Sequence, residues 1–102
     1  MVLYRRLLGD VLRERRLRQG LTLRQVSQGA RVSLGYISEI ERGHKEASSE
    51  LLASLCTALD APLSAVLREV SDAFALEEAA ARVASIPAPI SRRSGDVVAS
   101  AA

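Results

Sequence analysis

The sequence predicts an all-α fold of five helices followed by a C-terminal helical extension, on three observations. Apolar residues recur at spacings of three to five along most of the chain, the period of a helix with one buried face. The good helix formers Leu, Ala, Arg and Glu dominate, while β-branched and aromatic runs are scarce. Ser, Thr, Gly and Pro interrupt the pattern at helix-length intervals, where caps and turns need them.

The first helix carries the stripe Leu3, Leu7, Leu8, Val11, Leu12 and Leu17, and Gly20 ends it, because glycine adopts a positive φ without penalty. Thr22 offers an N-cap oxygen to a second helix over 23–30, buried through Leu23, Val26 and Ala30. After Arg31 and Val32, Ser33 caps a third helix that runs to Arg42, buries Ile37 and Ile40, and stops at Gly43. Ser48 caps a fourth, over 49–59, with Leu51, Leu52, Leu55, Cys56 and Leu59 inward. Asp60 and Ala61 form a turn, and Pro62 sits where a helix begins without needing its missing N–H. The pattern Leu63, Val66, Leu67, Val70, Phe74 is a fifth helix. The Ala- and Glu-rich run 73–86 either extends it or forms a sixth after a bend near Asp72. Residues 87–102 have Pro, Ser and Gly without periodicity and are expected to be a flexible tail. The organisation expected is therefore a domain over 1–70, a helical extension over 71–86 and a tail over 87–102.

A chain of 102 residues supports one small domain, and at 48% apolar content with three aromatics its core is aliphatic. No apolar stretch reaches the roughly 18–20 residues that span a bilayer, nor does the N-terminus read as a secretory signal. One cysteine, Cys56, on an inward helix face, reads as a buried structural thiol in a reducing, cytoplasmic setting. With one His and one Cys the chain offers no dedicated zinc site, and neither a Gly-rich phosphate loop nor a nucleophile–base pair is present, so no metal, cofactor or enzyme activity is expected.

The net charge of +2 conceals an asymmetry. Residues 1–45 carry ten basic side chains against four acids, and residues 46–102 carry four against eight. A head at +6 joined to a rear at −4 suits a polyanion-binding end, although scattered solvated arginines would give the same balance. Placement decides. Two short helices joined by a tight turn cross steeply, with small Ser27 at the crossing and Val26, Ile37 and Ile40 in the wedge. The second helix of such a pair fits the major groove, which is about 12 Å wide.

The run Arg18-Gln19-Gly20, then Leu21-Thr22-Leu23-Arg24-Gln25-Val26-Ser27, then Val32-Ser33-Leu34-Gly35-Tyr36-Ile37-Ser38-Glu39-Ile40-Glu41-Arg42-Gly43 resembles the helix-turn-helix of lambda-type repressors and of xenobiotic-response-element regulators. The resemblance covers about residues 7–70, and within it the segment from Arg31 to Leu52 is most similar to the actinobacterial Clp-gene regulators. Leu23 departs from the frequent Gln of that family at the start of the second helix, which leaves Arg24 to take a phosphate contact. The resemblance implies a lambda-repressor-like DNA-binding domain, and an activator of Clp protease and other proteostasis genes.

It also implies residue roles. Leu34, Gly35, Ser38 and Glu39, opposite Ile37 and Ile40, face base edges: Leu34 toward a thymine methyl, Ser38 toward either base class, Glu39 toward a cytosine amino group, with Gly35 admitting the backbone. Arg24, Gln25, Arg31, Ser33, Tyr36, Arg42, His44 and Lys45 take the phosphate backbone, Tyr36 through its hydroxyl. Any single arginine among these reads equally as a solvated surface charge. In the family the residue at Glu41 pairs with an arginine late in the first helix, and counting back from Gly20 makes that residue Arg16.

One recognition helix reads only a few base pairs, so an operator calls for two half-sites and a two-fold protein. The apolar surplus for that homodimer is Leu63, Val66, Leu67, Val70, Phe74 and Leu76, with small alanines at 79–81 allowing close approach. The competing reading of that surplus is a helix folded back on its own core. Expected partners are duplex DNA, a second copy, RNA polymerase, and a Clp unfoldase reading the Ala101-Ala102 terminus. The alternative functions are a protein-interaction module that borrows this fold, for which Glu39 argues, and an antitoxin whose C-terminal segment binds a toxin.

Overall fold

The computed structural model describes residues 4–85, all of whose regular structure is helical: α1 (Tyr4–Arg18), α2 (Leu23–Ala30), α3 (Leu34–Glu41), α4 (Ser49–Ala58) and α5 (Leu63–Ser85). The all-α reading holds, and α5 runs through Asp72 as one uninterrupted helix, so the second stretch extends the fifth helix. The expected tail over 87–102, with Ala101 and Ala102, lies outside the described residues, as does Leu3.

The first four helices end in one way. In each, a residue with positive φ follows the last turn (Gly20 at 69°, Arg31 at 59°, Gly43 at 77°, Asp60 at 52°). The next N–H reaches five residues back: Leu21 to Arg16 at 3.1 Å, Val32 to Ser27 at 3.1 Å, His44 to Glu39 at 2.9 Å, Ala61 to Cys56 at 2.9 Å. This is the Schellman arrangement, which satisfies carbonyls that a helix end otherwise leaves unpaired. The starts are equally specified, with Thr22, Ser33 and Ser48 each accepting a backbone N–H through the side-chain oxygen. Such caps contribute about 1 kcal/mol each, and they fix where an eight-residue helix begins.

The core gathers Leu7, Leu8, Val11 and Leu12 of α1, Val26 and Ala30 of α2, Ile37 and Ile40 of α3, Leu52, Leu55 and Cys56 of α4, and Val66 and Val70 of α5. Each of the larger aliphatics stabilises by roughly 1.5–3 kcal/mol when fully withdrawn from water. Leu17 is half exposed, contrary to the expected stripe, because the residue one turn beyond Leu12 is Arg16, and Arg16 takes the buried position. Burial also holds the Cys56 thiol above its ordinary pKa, consistent with a structural rather than reactive group.

The second set of apolar residues divides. Val66 (0% exposed) and Val70 (3%) are sealed inside their own subunit, so the expectation that they line a dimer interface is corrected. The helical period turns them toward α1 and α4, while Leu63, Leu67 and Leu76 stay exposed on the same helix. Phe74 is half-buried against the core. Among the described residues no single helix is long and apolar enough to cross a membrane.

Gly9 shows how closely α1 crosses the end of α3. A Cβ there would lie 2.4 Å from the Ile40 carbonyl oxygen and 2.6 Å from that of Glu41. Alanine normally improves a helix interior by up to about 1 kcal/mol over glycine, but overpacking against rigid backbone costs about 1–3 kcal/mol. Gly9→Ala is therefore expected to lower the urea midpoint. Gly35→Ala, with nothing within 4 Å of the added carbon, should raise stability by roughly 0.5 kcal/mol.

Candidate nucleic-acid interface

Three local devices set α2 against α3. Thr22 and Gln25 close a reciprocal capping box, Thr22 Oγ1 accepting from Gln25 N at 3.1 Å and Gln25 Oε1 accepting from Thr22 N at 2.8 Å. Ser27 at the crossing donates through its hydroxyl to the Val32 carbonyl, tying the end of α2 to the turn. Val26, Ile37 and Ile40, each 2% exposed or less, fill the wedge between the helices.

A buried ion pair then holds α3 on α1. Arg16 Nε donates to Glu41 Oε2 at 2.7 Å and Nη2 to Oε1 at 3.1 Å, a bidentate pair; Nη1 donates to the Leu21 carbonyl at 2.9 Å. Arg16 and Glu41 are the two buried charged residues of the described chain, at 9% and 8% exposure. The hydrogen bond from Arg16 to Glu41 raises the already high guanidinium pKa against the opposing effect of burial. One side chain thus fastens the end of α3, the end of α1 and the turn leading into α2. At the start of α1, Arg5 Nε donates to the Gly43 carbonyl at 3.0 Å, and a Cβ on Gly43 would meet Arg6 Cα at 2.8 Å.

With Ile37, Ile40 and Glu41 turned inward, α3 shows the opposite face. Leu34 and Gly35 are exposed, and Ser38 and Glu39 half-buried. Ser33 Oγ accepts from Tyr36 N at 3.1 Å and keeps its own proton to donate. Arg24, Arg31 and Lys45 are exposed and have no ion pair or side-chain hydrogen bond among the described residues. Gln25 keeps its amide nitrogen free beyond the capping box.

Three expectations need correction here. The Tyr36 hydroxyl donates its one proton to the Glu46 carbonyl at 2.9 Å, so it ties down the loop before α4 and has none left for a phosphate. Glu39 is not a free acceptor, nor Arg42 a free cation. Arg42 Nη2 donates to Glu39 Oε2, while Glu39 Oε1 lies 3.1 Å from His44 Nδ1. Arg42 first and His44 second hold the Glu39 carboxyl below the ordinary carboxylate range. The sequence reading also missed a clasp between α1 and α5. Arg15 Nη2 lies 2.7 Å from Glu69 Oε2, and Arg18 Nη2 3.5 Å from Glu69 Oε1. With more than 50 residues between Arg15 and Glu69 and no periodic relation, only the fold reveals it.

Residues 7–70 match the family described as helix-turn-helix domain. The transcriptional regulator ClgR of Mycobacterium tuberculosis (strain H37Rv) is 60% identical over 80 residues, which are 78% of this chain and 71% of that protein. The crystal structure of the clp gene regulator ClgR from Corynebacterium glutamicum superposes with a TM-score of 0.75 at 49% identity, over 81% of this chain and 88% of that one. The restriction-modification controller protein C.AhdI from Aeromonas hydrophila gives 0.58 at 29% identity, over 65% and 94%.

The bidentate pair carries a direct test. Arg16→Ala or Glu41→Ala leaves one buried charge without its partner and is expected to cost roughly 3–5 kcal/mol in urea unfolding. The double variant Arg16→Met/Glu41→Leu, which removes both charges, should recover most of that loss.

Proposed function

The chain belongs to the helix-turn-helix family of DNA-binding transcription regulators, and on that premise we propose that it governs clp genes by gripping a palindromic operator as a homodimer, with the segment 33–42 in the major groove. The matched relatives are regulators rather than enzymes. The observation that carries the reading is the display of α3: its inner face is bolted down by Ile37, Ile40 and the Arg16–Glu41 pair, and its outer face presents Leu34, Gly35 and Ser38. A helix with its side chains is about 10–12 Å across, which matches the major-groove width of about 12 Å. Leu34 and Ser38 supply an apolar and a hydroxyl contact to base edges, and exposed Gly35 admits the backbone. Arg24, Gln25, Arg31, Ser33 and Lys45 supply phosphate contacts, with His44 Nε2 beside them. In keeping with the relatives' description as Clp-gene regulators, the proposed output is activation through contact with RNA polymerase.

The proposed dimer rests on the outer half of α5. Over residues 75–84 of this helix only Ala79 is half-buried and the rest are exposed; Leu76 (74% exposed) and Val83 (70%) stand in solvent, seven residues apart on one face. A second α5 laid along that face would cover both, whereas exposed Leu63 and Leu67 lie on the other side of the helix. The reading as a protein-interaction module drew on an acidic recognition face, and the pairing of Glu39 with Arg42 and His44 removes that support.

Binding to duplex DNA should fall steeply with salt. A dimer making about six phosphate contacts loses roughly a thousandfold in affinity between about 50 and 200 mM salt; a shallow dependence would favour the protein-interaction module. Sedimentation of the full chain at micromolar concentration should give a dimer. Leu76→Glu/Val83→Glu should give a folded monomer with weakened operator binding, and a monomeric parent protein would contradict the two-fold reading. Arg31→Gly offers a separate check. It relieves a left-handed non-glycine conformation that costs roughly 1–2 kcal/mol, so stability should rise while DNA affinity falls.

A further inference from the structure

We propose that Arg42 reads a guanine edge at the C-terminal end of the recognition helix, with Glu39 the positioning residue that holds its guanidinium in place. The inference rests on the DNA-regulator reading above and assigns the roles of these two residues within it.

Gly35, Ser38, Glu39 and Arg42 stand at i, i+3, i+4 and i+7, one stripe of α3 opposite Ile37 and Ile40. Arg42 caps the helix in a right-handed helical conformation (φ −84°, ψ −2°), so it continues the stripe rather than leaving it. Its side chain is 58% exposed against 32% for that of Glu39. The acid thus lies lower on the helix, and the cation reaches beyond it.

Chemistry separates the two roles. Both Glu39 oxygens are engaged, Oε2 by Arg42 Nη2 and Oε1 by His44 Nδ1 at 3.1 Å. Each carboxylate oxygen keeps a second lone pair, but a cytosine amino group would have to reach it past the more exposed Arg42 guanidinium and the His44 ring already held there. Arg42 spends one of five N–H groups on Glu39, and those remaining suffice for the bidentate fork onto guanine O6 and N7, the commonest specific arginine contact. A guanidinium already held by a carboxylate loses less rotational freedom on meeting a base than a free one. The contact to Glu39 also directs the His44 Nδ1 proton inward when the ring is neutral, leaving Nε2 outward.

An exposed pair with no such role contributes little, and its acid would merely repel DNA. Both accounts expect tighter binding once the acid is removed, and they differ in whether base discrimination is lost with it. The test measures binding of the full chain to a duplex bearing its selected operator, to single-base variants of that duplex, and to unrelated duplex DNA. The unaltered chain should show one guanine in each half-site whose replacement weakens binding roughly tenfold to a hundredfold. Arg42→Ala should bind that operator and its replaced form alike, and Arg42→Lys should keep the salt dependence while losing most of the discrimination. Glu39→Gln should bind unrelated DNA more tightly yet discriminate less at that same base pair. Arg42 is exposed and Glu39 only half-buried, so loss of folding is unexpected, and circular dichroism melts verify it.

Uniformly weaker binding by Arg42→Ala with full base preference retained would make Arg42 a phosphate contact and overturn the proposal. So would loss of preference at a different base pair in Glu39→Gln, or tighter binding by that variant with discrimination intact. Absence of any base preference in the unaltered chain would overturn the regulator reading itself, an outcome separate from these.

Discussion

The bidentate contact between Arg16 and Glu41 is the constraint on which the display of the recognition helix depends. Two charges removed from water cost several kcal/mol each unless geometry repays them, so an arrangement that buries both is rigid about distance and angle. Arg16 meets that demand with three donors pointing at α3 and at the turn before α2. Gly9 and Gly43 bring the backbones close enough for the pair to form, and a Cβ at either position would collide with backbone atoms. Apolar packing alone would place Ile37 and Ile40 inward but would tolerate slight rotations of a helix only eight residues long. The ion pair limits that rotation, and with it the direction in which Gly35, Ser38 and Arg42 are presented.

Much of this was legible in the sequence because the signals are local. Thr22, Ser33 and Ser48 announce helix starts, and Gly20 and Gly43 announce ends, through chemistry confined to a few neighbouring residues. The inward placement of Val26, Ile37 and Leu55 follows from a period of 3.6. What escaped depended on angles between helices. The clasp of Arg15 and Arg18 on Glu69 joins elements far apart in sequence, and no pattern foretells it. Val66 and Val70 were assigned outward because a surplus of apolar residues does not say which of them the subunit itself consumes. Tyr36 at the edge of α3 suits a phosphate contact by position alone; the nearby Glu46 carbonyl, reached across a loop, claims the proton instead.

The molecule thereby divides its tasks along the chain. The basic first half holds α2 and α3 at a fixed angle and carries the cations that meet a polyanion. The acidic second half packs α5 on α1 through Val66 and Val70, then sends that helix outward with its apolar side chains uncovered. On the account proposed above, the clasp at Glu69 links these tasks. It couples the direction of α5, and so the two-fold axis, to α1, and α1 holds the recognition helix through Arg16.

The most direct measurement of the central claim is selection by the full chain from a pool of random duplexes, followed by sequencing of the retained DNA. The account predicts an inverted repeat whose half-sites lie one helical turn apart, with the motif weakened when Ser38 is replaced. No enrichment, or a single unrepeated half-site indifferent to Ser38, would contradict a dimeric regulator that reads its operator through α3.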